Sequence, residues 1–312
     1  MYEKLLRRMV MLLSMFTLCS ASFVFIGSGQ LSSAPDKYNT ESIRIPFDNK
    51  IYPVAIPDTL SFAGEPVPLN DPDIRQRLDR ELLVNTYWHS QTLLILKQFK
   101  QVAALVEPMM KQYNLPPDFV YLCIAESGMQ PNAVSPTGAV GLWQFLESTG
   151  EKFGLEINGE VDERMNFEKS TEAACKYLLE AKEIFGNWTL AAASFNMGTD
   201  GLQNVLQKQL VSNYYDLYTN RETARYIFRI LALKIVLQHA EEYGFYLNEA
   251  DQYPQFKFYS VNIDSPVPDW TQFAKEHGTN YKTLKRLNPW LQGYSLSNRQ
   301  QKMYEVKLPL ND

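Results

Sequence analysis

The sequence has few of the residues that build metal centres. Its 312 residues include only three histidines, and His89, His239 and His277 stand too far apart to form a local ligand pair. The motifs of zinc peptidases, paired-cysteine zinc sites, phosphate-binding loops and serine hydrolases are all absent. The sequence therefore predicts no metal and no cofactor, and it gives no support to nucleotide or serine-hydrolase chemistry.

Cysteine is equally scarce, with three in the chain. Cys19 lies in the N-terminal segment, whereas Cys123 and Cys175 each lie in an apolar, helix-like stretch. A disulfide between the latter two is possible in chemical terms in an oxidising compartment. The apolar surroundings favour two separately buried thiols instead.

A surplus of positive charge is also lacking. Lysine and arginine number 30 against 35 aspartates and glutamates, giving a net charge of -5. No basic stripe interrupts this balance, so nucleic acid is not an expected partner. The 45% hydrophobic and 21% charged content is typical of a folded protein of one or two domains.

The N-terminus differs from the rest of the chain. Three basic residues among the first eight precede an apolar stretch over residues 9–25, which predicts a signal peptide or membrane anchor over residues 1–30. A lipoprotein signal ending at Cys19 is the weaker alternative, because Leu18 is large for a cleavage site. All three alternatives predict an exported protein of the periplasm or cell envelope that touches the membrane only through this segment.

The remaining chain divides by composition into three parts. Residues 31–70 are rich in proline, serine, asparagine and aspartate and predict an extended tether or a strap on the surface. Residues 71–250 carry helical periodicity, whereas residues 254–312 read as strand, helix, helix and strand. Helices of the middle part are predicted at about 71–99, 102–113, 118–127, 170–185, 188–195 and 222–239, with Pro108 as a kink or break. The predicted fold class is mainly α with a small βααβ C-terminal domain.

One acidic residue has an unusual setting. Phe119, Leu122, Cys123 and Glu126 are spaced i, i+3, i+4 and i+7, so they share a helix face that is otherwise apolar. Burial raises the pKa of a carboxyl group, which a general acid working near neutral pH requires. Gly128 then ends the helix, so the acid stands next to a loop where a substrate can reach it. The alternative is an unremarkable glutamate at a fraying helix end.

Four segments at and after Glu126 follow one another in a distinctive order. They are ESG at 126–128 with NAVSPTGA at 132–139, GLWQF at 141–145, AASFNMG at 192–198 and ETARY at 222–226. In this order they resemble lytic transglycosylases with a goose-lysozyme-like (SLT) catalytic domain, of the membrane-bound lytic transglycosylase D type. The resemblance covers residues 85–245 and implies a lysozyme-like helical domain over residues 71–250.

The resemblance implies that Glu126 is the single catalytic acid and base. It implies that further residues line the substrate groove: Ser135, Gln144, Phe195, Asn196, Glu222 and Tyr226. Phe195 departs from the family pattern, which commonly has tyrosine there, so a hydroxyl near the acid is lost and activity is expected to be low or altered. For the polar groove residues, hydrogen bonding within their own loops is the alternative role.

The implied reaction needs one carboxylate rather than the usual glycosidase pair. The sequence near Glu126 shows no obvious second acid; Glu147, Asp162 and Glu163 are candidates only by proximity. The expected substrate is the glycan strand of peptidoglycan, cut between MurNAc and GlcNAc to give 1,6-anhydro-MurNAc ends. A hydrolytic muramidase of the same fold and a non-catalytic peptidoglycan-binding scaffold are the alternatives. The sequence names no protein partner.

The C-terminal residues 254–312 resemble a LysM module, a small peptidoglycan-binding βααβ unit. The segments carrying the likeness are YSV at 259–261, residues 270–278, LKRLNPWL at 284–291 and VKLP at 306–309. The usual Gly-Asp-Thr after the first strand is replaced by IDSPVP at 263–268, so the module is degenerate. A packing appendage without sugar affinity is the alternative.

Overall fold

The computed structural model describes residues 51–310, and residues from Tyr52 onward form one compact unit. The predicted signal or anchor, Cys19 and the first part of the predicted tether lie outside the described residues. Within residues 51–310, no helix combines the length and apolar character needed to cross a membrane.

Ten α-helices and two small antiparallel sheets make up the described part. The strands β1 (Ser61–Phe62) and β2 (Glu65–Pro66) come first. The helices α1 (Pro72–Tyr87), α2 (His89–Gln112), α3 (Phe119–Ser127), α4 (Glu147–Lys152), α5 (Phe167–Phe185), α6 (Trp188–Met197), α7 (Thr199–Gln209) and α8 (Arg221–Gln238) follow. The last part contains β3 (Phe258–Ile263), α9 (Trp270–Glu276), α10 (Tyr281–Leu287) and β4 (Tyr304–Pro309). The predicted mainly α class is confirmed.

The break between α1 and α2 lies at Trp88, not near residue 100 as the periodicity predicted. Trp88 has φ -87° and ψ 59°, outside the helical region. The Thr92 hydroxyl donates to the backbone oxygen of Asn85 at 2.5 Å, so a side chain of α2 satisfies one of the carbonyls left over at the end of α1. Pro108 lies inside α2 and does not end it. Two helices are present as predicted, but the predicted boundary between them is wrong.

Helix α7 was not predicted from the sequence. Its eleven residues are mostly polar, and only Leu202 among them is buried. Leu202, Val205 and Leu206 are nevertheless spaced i, i+3 and i+4 and pack on the main core. The helix is therefore amphipathic, and this spacing could have indicated it.

The described part of the predicted tether is a strap packed on the helical region. Phe62, Val67 and Leu69 are buried in the main core. The carboxylate of Glu65 accepts hydrogen bonds from the backbone N–H of Thr189 at 2.9 Å and from its hydroxyl at 2.7 Å. Glu65 therefore caps the N-terminus of α6, where a negative charge is favourable.

Helix α3 lies in the centre of the main core. All six residues from Phe119 to Ile124 are buried, so the helix is enclosed on every side rather than along the single face that the spacing indicated. Cys123 and Cys175 are buried and free, which confirms the prediction of two separate thiols. Enclosure of α3 fixes the position of its C-terminal end, where Glu126 lies.

The C-terminal unit has its own core. Strands β3 and β4 pair antiparallel, from Phe258 opposite Pro309 to Ile263 opposite Tyr304, and α9 and α10 lie between them in the chain. The buried side chain of Asn288 donates to the backbone oxygens of Leu284 and Lys307 and accepts from the N–H of Lys307. These bonds tie the end of α10 to β4.

The helical region contributes one buried residue, Val161, to this second core, and the half-buried Met165 packs against it. Val161 is 1% exposed and packs among the buried residues of the C-terminal unit. It forms a β-bridge with Leu291, and the N–H of Asp162 donates to the backbone oxygen of Trp290 at 2.9 Å. Glu160 accepts from the N–H and hydroxyl of Ser297. The C-terminal unit is therefore docked on the loop at residues 155–165.

Candidate active site

Glu126 lies in the last turn of α3. Gly128 follows the helix with φ 60° and ψ 29°, a left-handed conformation that glycine adopts without strain. Its N–H donates to the backbone oxygen of Ile124 at 2.8 Å. The chain leaves the helix there, so Glu126 is half-buried although the residues before it are enclosed.

The carboxylate of Glu126 accepts a short hydrogen bond from the hydroxyl of Tyr226, which is 1% exposed. Burial raises the pKa of Glu126 to about 7, against the opposing effects of the Tyr226 hydrogen bond and the positive charge of Arg229. The negative charge of Glu222 adds to the rise. Glu126 is thus partly protonated near neutral pH, as a general acid must be.

One face of α8 provides the groups around this acid. Glu222, Tyr226 and Arg229 are spaced i, i+4 and i+7, which puts them on one side of the helix. Arg229 was not among the predicted site residues. The same spacing rule that singled out Glu126 would have found it, because it falls on the helix face that Glu222 and Tyr226 already define.

Asn196 links α6 to α8. Its side-chain oxygen accepts from the hydroxyl of Thr223 at 2.9 Å, so the end of α6 is joined to the first turn of α8, beside Glu222. Thr223 was also not predicted. Its hydroxyl faces Asn196 because the neighbouring Asn220 caps α8 by accepting from the N–H groups of Glu222 and Thr223.

Phe195 packs inward against three aromatic rings. Its ring centroid lies 5.0 Å from that of Tyr177, 5.5 Å from Phe145 and 6.2 Å from Trp143. Tyr177 has its own hydroxyl bonded to the backbone oxygen of Ser194 at 2.7 Å. Phe195 therefore contributes apolar packing to this wall.

Gln144 sits in a tight loop with φ 50°. Its side-chain amide donates to the backbone oxygens of Gly141 at 2.8 Å and Ala133 at 3.2 Å. A Cβ on Gly141 would come within 1.8 Å of the backbone oxygen of Arg164, so only glycine fits there. The loop thus holds Gln144 by its nitrogen and leaves its oxygen without a hydrogen bond to the described residues.

Ser135 hydrogen-bonds within its own loop. Its hydroxyl lies 2.9 Å from the hydroxyl of Thr137 and accepts from the N–H of Ala139 at 2.9 Å. These contacts are what the alternative role of Ser135, hydrogen bonding within its own loop, predicts. Among the six predicted groove residues, Ser135 is the one whose contacts are confined to its own turn.

The acids considered for a second catalytic carboxylate have other contacts. Asp162 pairs with Arg164 at 2.8 Å, and Glu163 accepts from the N–H of Glu156 at 2.8 Å. Glu147 is exposed at the start of α4. Of the acids in the described chain, Glu222 is the one whose charge acts on Glu126.

A pocket of about 450 Å³ opens next to this site. Gln144, Phe195 and Asn196 line it together with residues of α4, α5 and the first turn of α7. Three of the predicted groove residues therefore meet at one cavity. Tyr177, another lining residue, acts on Tyr226, whose pKa is raised mainly by burial and further by Glu126 and Tyr177. Within residues 51–310 no cluster of three or more His, Cys, Asp or Glu side chains could hold a metal ion.

Comparison with known proteins supports both parts of the fold. Residues 105–216 match the transglycosylase SLT domain family, and residues 259–312 match the soluble lytic transglycosylase C-terminal LysM-like domain family. The chain is 28% identical to membrane-bound lytic murein transglycosylase D of Escherichia coli strain K12 over 247 residues, which are 77% of this chain and 53% of that protein. The same figures hold for the protein of that name from Escherichia coli O6:H1.

A shorter match is to the peptidoglycan transglycosylase gp16 of Escherichia phage T7, 37% identical over 81 residues, or 25% of this chain and 6% of that protein. The chain spans about half the length of the two Escherichia coli relatives. These matches confirm the resemblance found in the sequence. The chain is thus similar to lytic murein transglycosylases, and its match to the transglycosylase SLT domain precedes its match to the LysM-like domain.

Proposed function

We propose that this protein is an exported lytic transglycosylase that cleaves the β-1,4 bond between MurNAc and GlcNAc of peptidoglycan without water. Its products carry 1,6-anhydro-MurNAc ends. The observation that supports this most is the single half-buried carboxyl of Glu126, whose pKa is raised to about 7 by burial and which is hydrogen-bonded to Tyr226.

In the first step Glu126 protonates the glycosidic oxygen as the bond to C1 of MurNAc breaks. The 2-acetamido oxygen of the same sugar attacks C1, so the substrate supplies the nucleophile that a second carboxylate supplies in other glycosidases. Glu126 is left as a carboxylate, which the Tyr226 hydroxyl and the charge of Arg229 stabilise.

In the second step the Glu126 carboxylate takes the proton from the C6 hydroxyl of MurNAc. The C6 oxygen attacks C1, displaces the acetamido oxygen and closes the 1,6-anhydro ring. Glu126 ends in its starting protonation state, so one group serves as acid and then as base. A pKa near 7 suits both roles, because neither protonation state is strongly disfavoured.

Hydrolysis by the same fold is the second candidate, and the position of Glu222 favours it. Glu222 is exposed and close enough for its charge to raise the pKa of Glu126, so it could activate a water molecule. The reaction product distinguishes the two. Hydrolytic ends are heavier than anhydro ends by one water molecule.

The test is mass spectrometry of muropeptides released from purified peptidoglycan, with Glu126→Gln as the inactive control. We expect anhydro ends from the wild type and none above background from the variant. Products with only free reducing ends would contradict the transglycosylase assignment and show that the protein is a muramidase. If no fragments are released, the non-catalytic scaffold reading is favoured.

Export and wall binding belong to the same proposal. The basic and apolar N-terminal sequence supports export, and cell fractionation of the full chain tests it: the protein should appear in the envelope or periplasm.

We propose that the LysM-like unit binds peptidoglycan. In that unit, the exposed ring of Tyr294 stacks on Tyr281 at 4.9 Å and offers an aromatic face of the kind that sugars contact. The fraction of protein that sediments with insoluble peptidoglycan should fall when Tyr294 is replaced by alanine.

A further inference from the structure

The pocket next to the catalytic site has two kinds of lining residue. Aromatic rings, among them Phe195 and Tyr177, form part of the wall. Helix α4 and the first turn of α7 add the charged residues Lys152 and Asp200. Glycan strands carry no charge in their sugar rings, so a wall of aromatic rings is sufficient to hold them.

Lys152 and Asp200 are close enough for their charges to interact. Asp200 contributes to raising the pKa of Lys152, although the largest cause is the hydrogen bond from Lys152 to Glu180. The Lys152 nitrogen lies 2.7 Å from the Glu180 carboxylate and 4.9 Å from the centre of the Phe153 ring. Glu180 does not line the pocket, so the pocket wall carries one positive charge, Lys152, and one negative charge, Asp200.

We propose that Lys152 and Asp200 bind the ionised groups of the stem peptide attached to MurNAc, Lys152 a carboxylate and Asp200 an ammonium group. This rests on the proposed function, since it extends the same substrate. The pocket of about 450 Å³ falls within the range of about 300–1,000 Å³ typical of ligand sites. Peptide is the part of peptidoglycan that carries both signs of charge, and it leaves the glycan at MurNAc, the sugar that Glu126 attacks.

Two lining residues of the pocket contact or act on the helix that carries Tyr226. Asn196 accepts a hydrogen bond from Thr223, which lies three residues before Tyr226, and Tyr177 adds to the rise that burial causes in the pKa of Tyr226. A MurNAc bound near Glu126 therefore has the pocket beside it. The enzyme should consequently prefer glycan that still bears peptides over glycan from which an amidase has removed them.

The experiment compares soluble peptide-bearing strands with the same strands after amidase treatment. We expect Lys152→Gln and Asp200→Asn each to lower kcat/KM on peptide-bearing strands roughly two- to tenfold, as expected for exposed charged contacts. The loss should be in KM, with little change on the amidase-treated strands. Glu180→Gln is the matched control, because it removes the Lys152 ion pair without changing the lining of the pocket.

Equal losses on both substrates, or no loss on either, would overturn the assignment to peptide. So would a Glu180→Gln variant that behaves like Lys152→Gln, because the effect would then come from the position of α4. Binding of the two kinds of strand is measured in parallel in a Glu126→Gln background. The ratio of the two dissociation constants tests the peptide site even if the wild type cuts neither strand, an outcome that would refute the proposed function alone.

Discussion

Two polar side chains, Asn288 in the C-terminal core and Glu126 at the edge of the helical core, are held in opposite ways. In the C-terminal core, the side chain of Asn288 makes three hydrogen bonds: its amide nitrogen donates two and its oxygen accepts one. In the helical core, Glu126 receives one hydrogen bond from a side chain and has its pKa raised to about 7 by burial. A group that the fold fully satisfies stabilises it, whereas a group left poorly solvated is free to react.

The largest expected effect is on catalysis. Glu126→Gln keeps the shape and the acceptor for Tyr226 but has no proton to transfer. Because general acid–base groups contribute about 10²–10⁴-fold and one residue serves both steps here, the rate of release of anhydro-muropeptides should fall by ~10⁴-fold or more. A variant that cuts near the wild-type rate would show that another residue is the acid. Glu147→Gln, at an exposed position, is the control and should cut normally.

The second prediction concerns the satisfied group. Asn288→Ala leaves the N–H and the carbonyl of Lys307 in the C-terminal core without their partner, whereas the Leu284 carbonyl still accepts from the backbone N–H of residue 288. Each unsatisfied buried group costs about 1–3 kcal/mol, so the free energy of unfolding should fall by ~3 kcal/mol or more, equally at all pH values from about 5 to 8. Asn280→Ala, which removes the cap of α10, should cost ~1 kcal/mol. Urea unfolding of both variants measures the difference, and a loss for Asn288→Ala no larger than for Asn280→Ala would contradict the prediction.

The sequence predicts those features of the two cores that neighbouring residues encode, and it misses most of those that depend on distant contacts. The helices, the strands of the C-terminal unit and the place of Glu126 at a helix end follow from periodicity and from Gly128. Arg229 could have been found by the same spacing. The side-chain partner of Glu126 is a hundred residues away in the chain, so the resemblance and not the local pattern indicated Tyr226.

Other features depend on contacts that no local pattern encodes. Val161 belongs to the core of the C-terminal unit although it precedes that unit by about a hundred residues, so a change of composition near residue 254 does not mark where the packing changes. The break at Trp88 depends on the Thr92–Asn85 hydrogen bond. The meeting of Lys152 and Asp200 at one pocket also depends on tertiary contacts, whereas helix α7 carries an apolar stripe that the sequence analysis missed.

The third prediction concerns stability and pH. Below the ordinary pKa of 4.5, Glu126 is neutral in both the folded and unfolded states. Between 4.5 and about 7 the unfolded chain ionises first, so the wild type loses stability as the pH rises, to a limit of about 3 kcal/mol. Glu126→Gln has no such loss. The difference in Tm between variant and wild type should therefore grow in favour of the variant from pH 4.5 to 7 and then level off, whereas Glu147→Gln should follow the wild type. A difference that stays constant across this range would mean that burial does not hold Glu126 neutral.

The smallest expected effect comes from the hydroxyl of Tyr226. It donates to the Glu126 carboxylate and so stabilises the ionised form, which lowers the pKa against the larger effect of burial. Tyr226→Phe should raise the pKa of Glu126 above its wild-type value of about 7. In the pH profile of kcat/KM, which reports the free enzyme, the fall on the alkaline side should move to higher pH. The rate at the optimum should drop by roughly tenfold, because one hydrogen bond to a charged group contributes about 1.5 kcal/mol.

Tyr214→Phe is the control for this last variant. Tyr214 is also 1% exposed, and its hydroxyl donates to the backbone oxygens of Thr223 and Ala224 at 2.7 and 3.0 Å, on the same helix but not to Glu126. Its loss should lower Tm about as much as the loss of the Tyr226 hydroxyl and leave the alkaline side of the profile unchanged. If both variants shift the profile equally, α8 as a whole sets the pKa of Glu126. If only Tyr226→Phe shifts it, the reactivity of the acid depends on that single contact, and the helical core holds Glu126 by one hydrogen bond where the C-terminal core holds Asn288 by three.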